Sequence, residues 1–165
     1  MKKGFGLVEV LVASAIIGIT FFAIVGAVRL AAIAVEDATH ESRAGFLLDE
    51  GIEVAKLWRD TSWSEFYQKR MTVGETYYLI FAAGTWTIAT VDPGPINGVF
   101  TRTLALADVC RDDVTADIVG AAPCSGGSTI DPGTRQVQIS VSWNRRGTGT
   151  RTKTVSTYVA NIFQN

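Results

Sequence analysis

Glu9 is a carboxylate in the wrong solvent. It stands in the stretch MKKGFGLVEVLVASAIIGITFF, and the run from Val10 to Val28 carries no charge at all. An ionised carboxylate in an apolar layer needs a cation close by, or at least the positive end of its own helix dipole. The other residues able to do chemistry are few. Cys110 and Cys124 bracket a polar segment and could form a disulfide or stay reduced. A zinc site would need two further ligands, and the single histidine, His40, lies far away on a helical stretch as an exposed residue. Asp108, Asp112, Asp113, Asp117 and Asp131 crowd the region of the cysteines. Calcium takes six to eight oxygens, often from acidic loops, but no EF-hand spacing is present, so these read first as a solvated acidic loop with no metal or cofactor assigned, and calcium stays the lesser alternative. Arg145, Arg146, Arg151 and Lys153 make the last turn and strand basic. Four such charges more often keep a sheet edge soluble than bind phosphate. There is no glycine-rich phosphate loop, no paired histidine and carboxylate, and no nucleophile in a recognisable setting, so the chain does not read as an enzyme.

The bulk numbers suit one domain with an appendage. The chain has 165 residues, 47% of them hydrophobic and 19% charged, with a net charge of −1. That balance argues against a nucleic-acid partner. Much of the apolar excess lies before residue 35. Phe5 to Val28, as helix, would span about 36 Å, enough to cross a hydrocarbon core of roughly 30 Å. The Val, Leu, Ile and Phe residues from Val10 to Val28 favour insertion by roughly 3 to 7 kcal/mol, and Glu9 sits near one end, where its cost is smaller. Lys2 and Lys3 belong on the cytoplasmic side, so the rest of the chain is exported. Outside, an oxidising compartment favours a Cys110–Cys124 disulfide. The apolar run is too long for an ordinary signal peptide and has no clean cleavage pattern after it.

The glycine of KKG, the following Phe5, and Glu9 in FGLVEVLVASAII resemble the leader of type IV prepilins and pseudopilins. In that family a prepilin peptidase cuts after the glycine on the cytoplasmic side and methylates the new N-terminus. The resemblance implies cleavage between Gly4 and Phe5, N-methylation of Phe5, and an assembly role for Phe5 and Glu9. In family filaments the glutamate is thought to meet the N-terminal amine of a neighbouring subunit. Major pilins often have a proline near the position of Gly26, and this chain has none before Pro93. LVEVLVAS and the ending VQISVSW…TKTVSTYVANI look most like the PilV-like minor pilins, with pseudopilins close.

Behind the apolar run, residues 29–60 continue as an amphipathic helix, with Leu47, Leu48, Gly51, Ile52, Val54, Ala55 and Trp58 on one side. Gly45 is the one place where a break is expected if there is one. TSWSEFYQKRMTVGE reads as a connection. Strands follow at TYYLIF, WTIAT, VFTRTLALADV, RQVQISVSW and RTKTVSTYVANIF, separated by AAGT, VDPGPING, the 110–124 loop and NRRGTGT. Val137, Ile139 and Val141 should face one way. The tryptophans read as core filler. The expected fold class is α+β: a type IV pilin-like fold, with a long N-terminal helix on an antiparallel sheet of four to five strands. The parts are a leader at 1–4, an apolar half-helix at 5–28, an amphipathic half at 29–60, and a β head at 61–165 bearing the 110–124 loop.

The function this implies is that of a filament subunit, a minor pilin supporting adhesion, motility or DNA uptake. Its partners would be other pilin subunits, prepilin peptidase, the inner-membrane assembly machinery, and the membrane before assembly. The subunit would sit in the cytoplasmic membrane with its head outside, and later in an extracellular or periplasmic filament. Two alternatives stand beside this one: a pseudopilin of a type II secretion or competence system, and an uncleaved single-pass adhesin or receptor.

Overall fold

The computed structural model describes residues 6–145 and 149–163. Helix α1 runs from Leu7 to Thr61 without interruption, so the break entertained at Gly45 does not occur. Tertiary contacts divide the chain into two units, one reaching to Glu41 and the other covering Ser42–Asn165.

In the first unit almost every side chain of the helix from Leu7 to Val35 is exposed, including Leu11, Ile17, Phe22 and Leu30. Its few polar side chains fold back on their own backbone. Ser14 donates to the Leu11 carbonyl at 2.9 Å, and Thr20 donates to the Ile16 and Ile17 carbonyls at 3.0 and 2.9 Å. Such bonds satisfy a hydroxyl without water, which suits a helix surrounded by hydrocarbon.

The second unit is built on the stripe Ala44, Leu48, Gly51, Ala55 and Trp58, all buried. Spacings of three and four keep these residues on one helix face. The stripe packs on an antiparallel sheet with strands β1 (Thr76–Ala82), β2 (Thr85–Ala89), β3 (Phe100–Asp112), β4 (Ile118–Ala121), β5 (Ser128–Arg145) and β6 (Gly149–Ala160). The order is β2-β1-β3-β5-β6, with β4 pairing the far end of β3. Val137, Ile139 and Val141 all face the helix and are fully buried, as their alternation requires. The closest approach is at Gly51, where a Cβ would lie 2.8 Å from Ile139 Cγ2. A residue with no side chain lets the helix sit directly on the sheet.

Three differences from the sequence reading have local causes. The sheet has six strands, not four to five, because β4 forms inside the 110–124 loop. Its residues, Ile118, Val119, Gly120 and Ala121, do not alternate in polarity, so the period gave no warning. β5 starts at Ser128 rather than Arg135, passing an irregularity opposite Asp108 and Val109. The connection after α1 is a π-helix, Ser64–Arg70, pinned by aromatics. Trp63 stacks on Tyr67 at 4.7 Å, Trp58 stacks on Phe66 at 5.1 Å, and the Tyr67 hydroxyl donates to the Ala55 carbonyl at 2.6 Å. Burial pushes the Tyr67 hydroxyl well above its ordinary pKa. Trp58, Trp63 and Trp143 are core, as expected, while Trp86 is half-buried. His40 is half-buried rather than exposed.

Candidate functional site: the apolar N-terminal helix and its carboxylate

Gly4 and Phe5 lie outside the described residues, as do Lys2, Lys3 and Arg146. The site is therefore built from Gly6 onward. The Glu9 and Val10 amides donate to the Gly6 carbonyl at 3.0 and 3.3 Å, which closes the first turn of α1. Glu9 is exposed in that turn, where the helix dipole favours a negative charge. Among the described residues its carboxylate has no hydrogen-bond or ion-pair partner. The helix is long and apolar enough to cross a membrane, and none of its most apolar window is buried within the chain. Gly18 and Gly26 continue the helix, with open space where a Cβ would stand. This arrangement can do two things chemically: enter a hydrocarbon layer, and offer one carboxylate at a fixed depth to a cation from elsewhere.

In the head, Cys110 and Cys124 form a disulfide with a Cα separation of 5.4 Å. Closing a loop of this size contributes about 3 kcal/mol in the chain-entropy model. Three of the acidic residues nearby, Asp108, Asp112 and Asp131, are occupied by the protein itself. Burial works against the charge of Asp131, but hydrogen bonds from Thr134, Arg111 and the Gly133 amide outweigh it and hold the carboxyl below its ordinary range. Asp112 accepts from the Thr115 and Val114 amides, each at 2.8 Å, and is likewise held low. Asp108 pairs with Arg135 at 3.3 Å. Among the described residues no group of three or more His, Cys, Asp or Glu side chains could hold a metal ion.

The sequence reading passed over Arg102. It is buried, pairs with Glu50, donates to the Leu47 carbonyl at 3.2 Å, and lies over the Trp86 ring at 4.9 Å. Alternation could have found half of this, because Phe100, Leu104 and Leu106 place Arg102 on the buried face. Its partner Glu50, on another element, leaves no such trace. This pair ties the helix to β3 within the head.

Residues 1–25 match the family model described as the prokaryotic N-terminal methylation motif. No curated protein and no solved structure matches the chain. The motif, placed at the head of a bare apolar helix that continues onto an antiparallel sheet, supports a type IV pilin-like subunit. It also fits anchoring in a membrane before assembly.

Proposed function

We propose that the chain is a minor-pilin-type structural subunit. Prepilin peptidase cuts between Gly4 and Phe5 and methylates the Phe5 amine. The apolar half of α1 holds the subunit in the cytoplasmic membrane and then packs among the same helices of other subunits. Glu9 pairs with the Phe5 amine of a neighbour, a contact that fixes register because any other depth leaves a carboxylate in hydrocarbon. The disulfide-closed head remains outside and supplies surface contacts for adhesion, motility or DNA uptake. The observation that carries this reading is the match to the methylation motif over residues 1–25, since a plain membrane anchor explains neither the glycine nor Glu9.

Intact-mass and N-terminal peptide mass spectrometry of the protein from its native envelope tests it. A mature chain beginning with N-methylated Phe5 is the expected result, and Glu9→Ala should then be processed but fail to enter filaments. A chain still beginning at Met1 in cells with an active peptidase would overturn the proposal.

A further inference from the structure

The outer face of the sheet, turned away from α1, breaks the usual pattern of a solvated surface. Within β3 up to Asp108, β5 from Arg135 and β6, the charged residues Arg102, Asp108, Arg135, Arg145, Arg151 and Lys153 all fall at the alternating positions of the helix-side face. The outer positions of β1, β2, β3 up to Ala107, β5 from Gln136 and β6 hold not one charged side chain. What they hold instead is ordered. Thr103, Ser140 and Thr154 form one cross-strand row, and Thr101, Ser142 and Thr152 form the next. Strand geometry sets the positions that carry these hydroxyls about 4.8 Å apart from strand to strand and about 6.8 Å apart along each strand. Ser140 and Thr154 share a hydrogen bond at 2.9 Å, so the row is already oriented. Tyr78 on β1 stands beside Thr103 in the first row, and Tyr158, 44% exposed, lies on β6 two rows further along the same face, opposite Gln136.

We infer that this face docks an uncharged polysaccharide. Hydroxyl rows offer donors and acceptors at regular intervals to a polymer of hydroxyls, and the two tyrosine rings on the same face suit the C–H faces of sugar rings. The absence of charge is the complementarity. A nucleic acid or an acidic glycan would find no cation to repay desolvation of its own charges. A second copy would find no large apolar anchor between the two tyrosines. The inference rests on the head alone and adds a ligand to the subunit reading. A chain that retains Met1 would overturn that reading and leave this one standing.

Native electrophoresis of the full-length protein in detergent, through gels cast with hydroxyethyl cellulose, dextran or anionic alginate, tests the inference. Retardation is expected in at least one neutral polymer, equal at low and high salt. Tyr158→Ala and Thr154→Asp should weaken it about tenfold, and Thr154→Val, which keeps the shape and removes the hydroxyl, should weaken it less. Val114→Asp, at an exposed position of the disulfide-bounded loop, should leave it unchanged. Near-ultraviolet circular dichroism checks that each variant keeps its aromatic packing. The inference is overturned by migration unaffected by every neutral polymer. Salt-sensitive retardation by alginate alone, face variants that bind like the native chain, or a dimer abolished by Thr154→Asp would overturn it equally.

Discussion

One helix, α1, obeys two opposite rules. Before Glu41 its leucines, isoleucines and phenylalanines stand in the open, and the head beyond Ser42 buries Leu48, Val54, Ala55 and Trp58 against a sheet. Backbone and hydrogen bonding are the same in both. The difference is where the apolar side chains find partners. The first region leaves them unsatisfied within the chain, so it depends on lipid or other subunits. The second satisfies them internally, so it can carry a surface with work of its own. Helix propensity says nothing about which is which, and burial decides it.

The sharpest test of this contrast is a pair of identical changes on one helix. Leu48→Ala, in the buried stripe, should cost the head about 3 kcal/mol in urea unfolding. The change at Leu11, which closes the series, should cost nothing measurable there.

Next in size is the polar tie between helix and sheet. Arg102 has 3% of its side chain exposed, and Glu50 has 47%. Removing Glu50 strands a buried cation, whereas removing Arg102 leaves a carboxylate that water can reach. Glu50→Gln should therefore cost about 2 kcal/mol and more than Arg102→Met, as compared by the same unfolding measurement.

Gly51→Ala sets local and tertiary physics against each other. Alanine improves helix propensity by about 1 kcal/mol, but its methyl would meet Ile139 at 2.8 Å. Overpacking of a β-branched neighbour costs about 1 to 3 kcal/mol, so a net loss is expected in the head. Gly18→Ala, with open space around it, should raise helix content without such a penalty.

Acid should weaken the head. The Asp131 carboxyl is held below its ordinary pKa in the fold, so its stabilisation is present above the ordinary aspartate range. It is lost as pH falls through and below that range, because the unfolded chain takes up the proton first. Thermal melts should show a small destabilisation on acidification, and Asp131→Asn should flatten its slope.

The smallest effect closes the comparison. Leu11→Ala, at a position 60% exposed, should shift head unfolding by less than about 0.5 kcal/mol. Partition into membranes should still weaken, because the lost side chain served the bilayer rather than the fold.

Much of the fold was legible because burial leaves a period. Val137, Ile139 and Val141 announced a strand with one buried face, and Leu48, Gly51, Ala55 and Trp58 announced a helix stripe. β4 was not legible, since Ile118–Ala121 pairs with β3 through backbone bonds that any sequence can make. The π-helix Ser64–Arg70 was hidden for a related reason: its shape follows from where Trp63 and Tyr67 pack, and no spacing encodes that. The acidic residues read as a solvated loop, whereas Arg111, Arg135 and backbone amides hold three of them, through partners that spacing does not encode.

By itself the sequence determined the apolar run, the charge within it at Glu9, and the glycine and phenylalanine before it. These are properties of covalent order, which a peptidase or a bilayer reads without any fold. Tertiary structure alone decided that Glu50 meets Arg102, that Gly51 admits Ile139, and that Arg102, Arg135 and Lys153 stand on the helix-side face while Thr103, Ser140 and Thr154 stand on the other. Each of these depends on register between segments far apart in the chain. Register is set by the sum of many weak packing contacts rather than by any one residue.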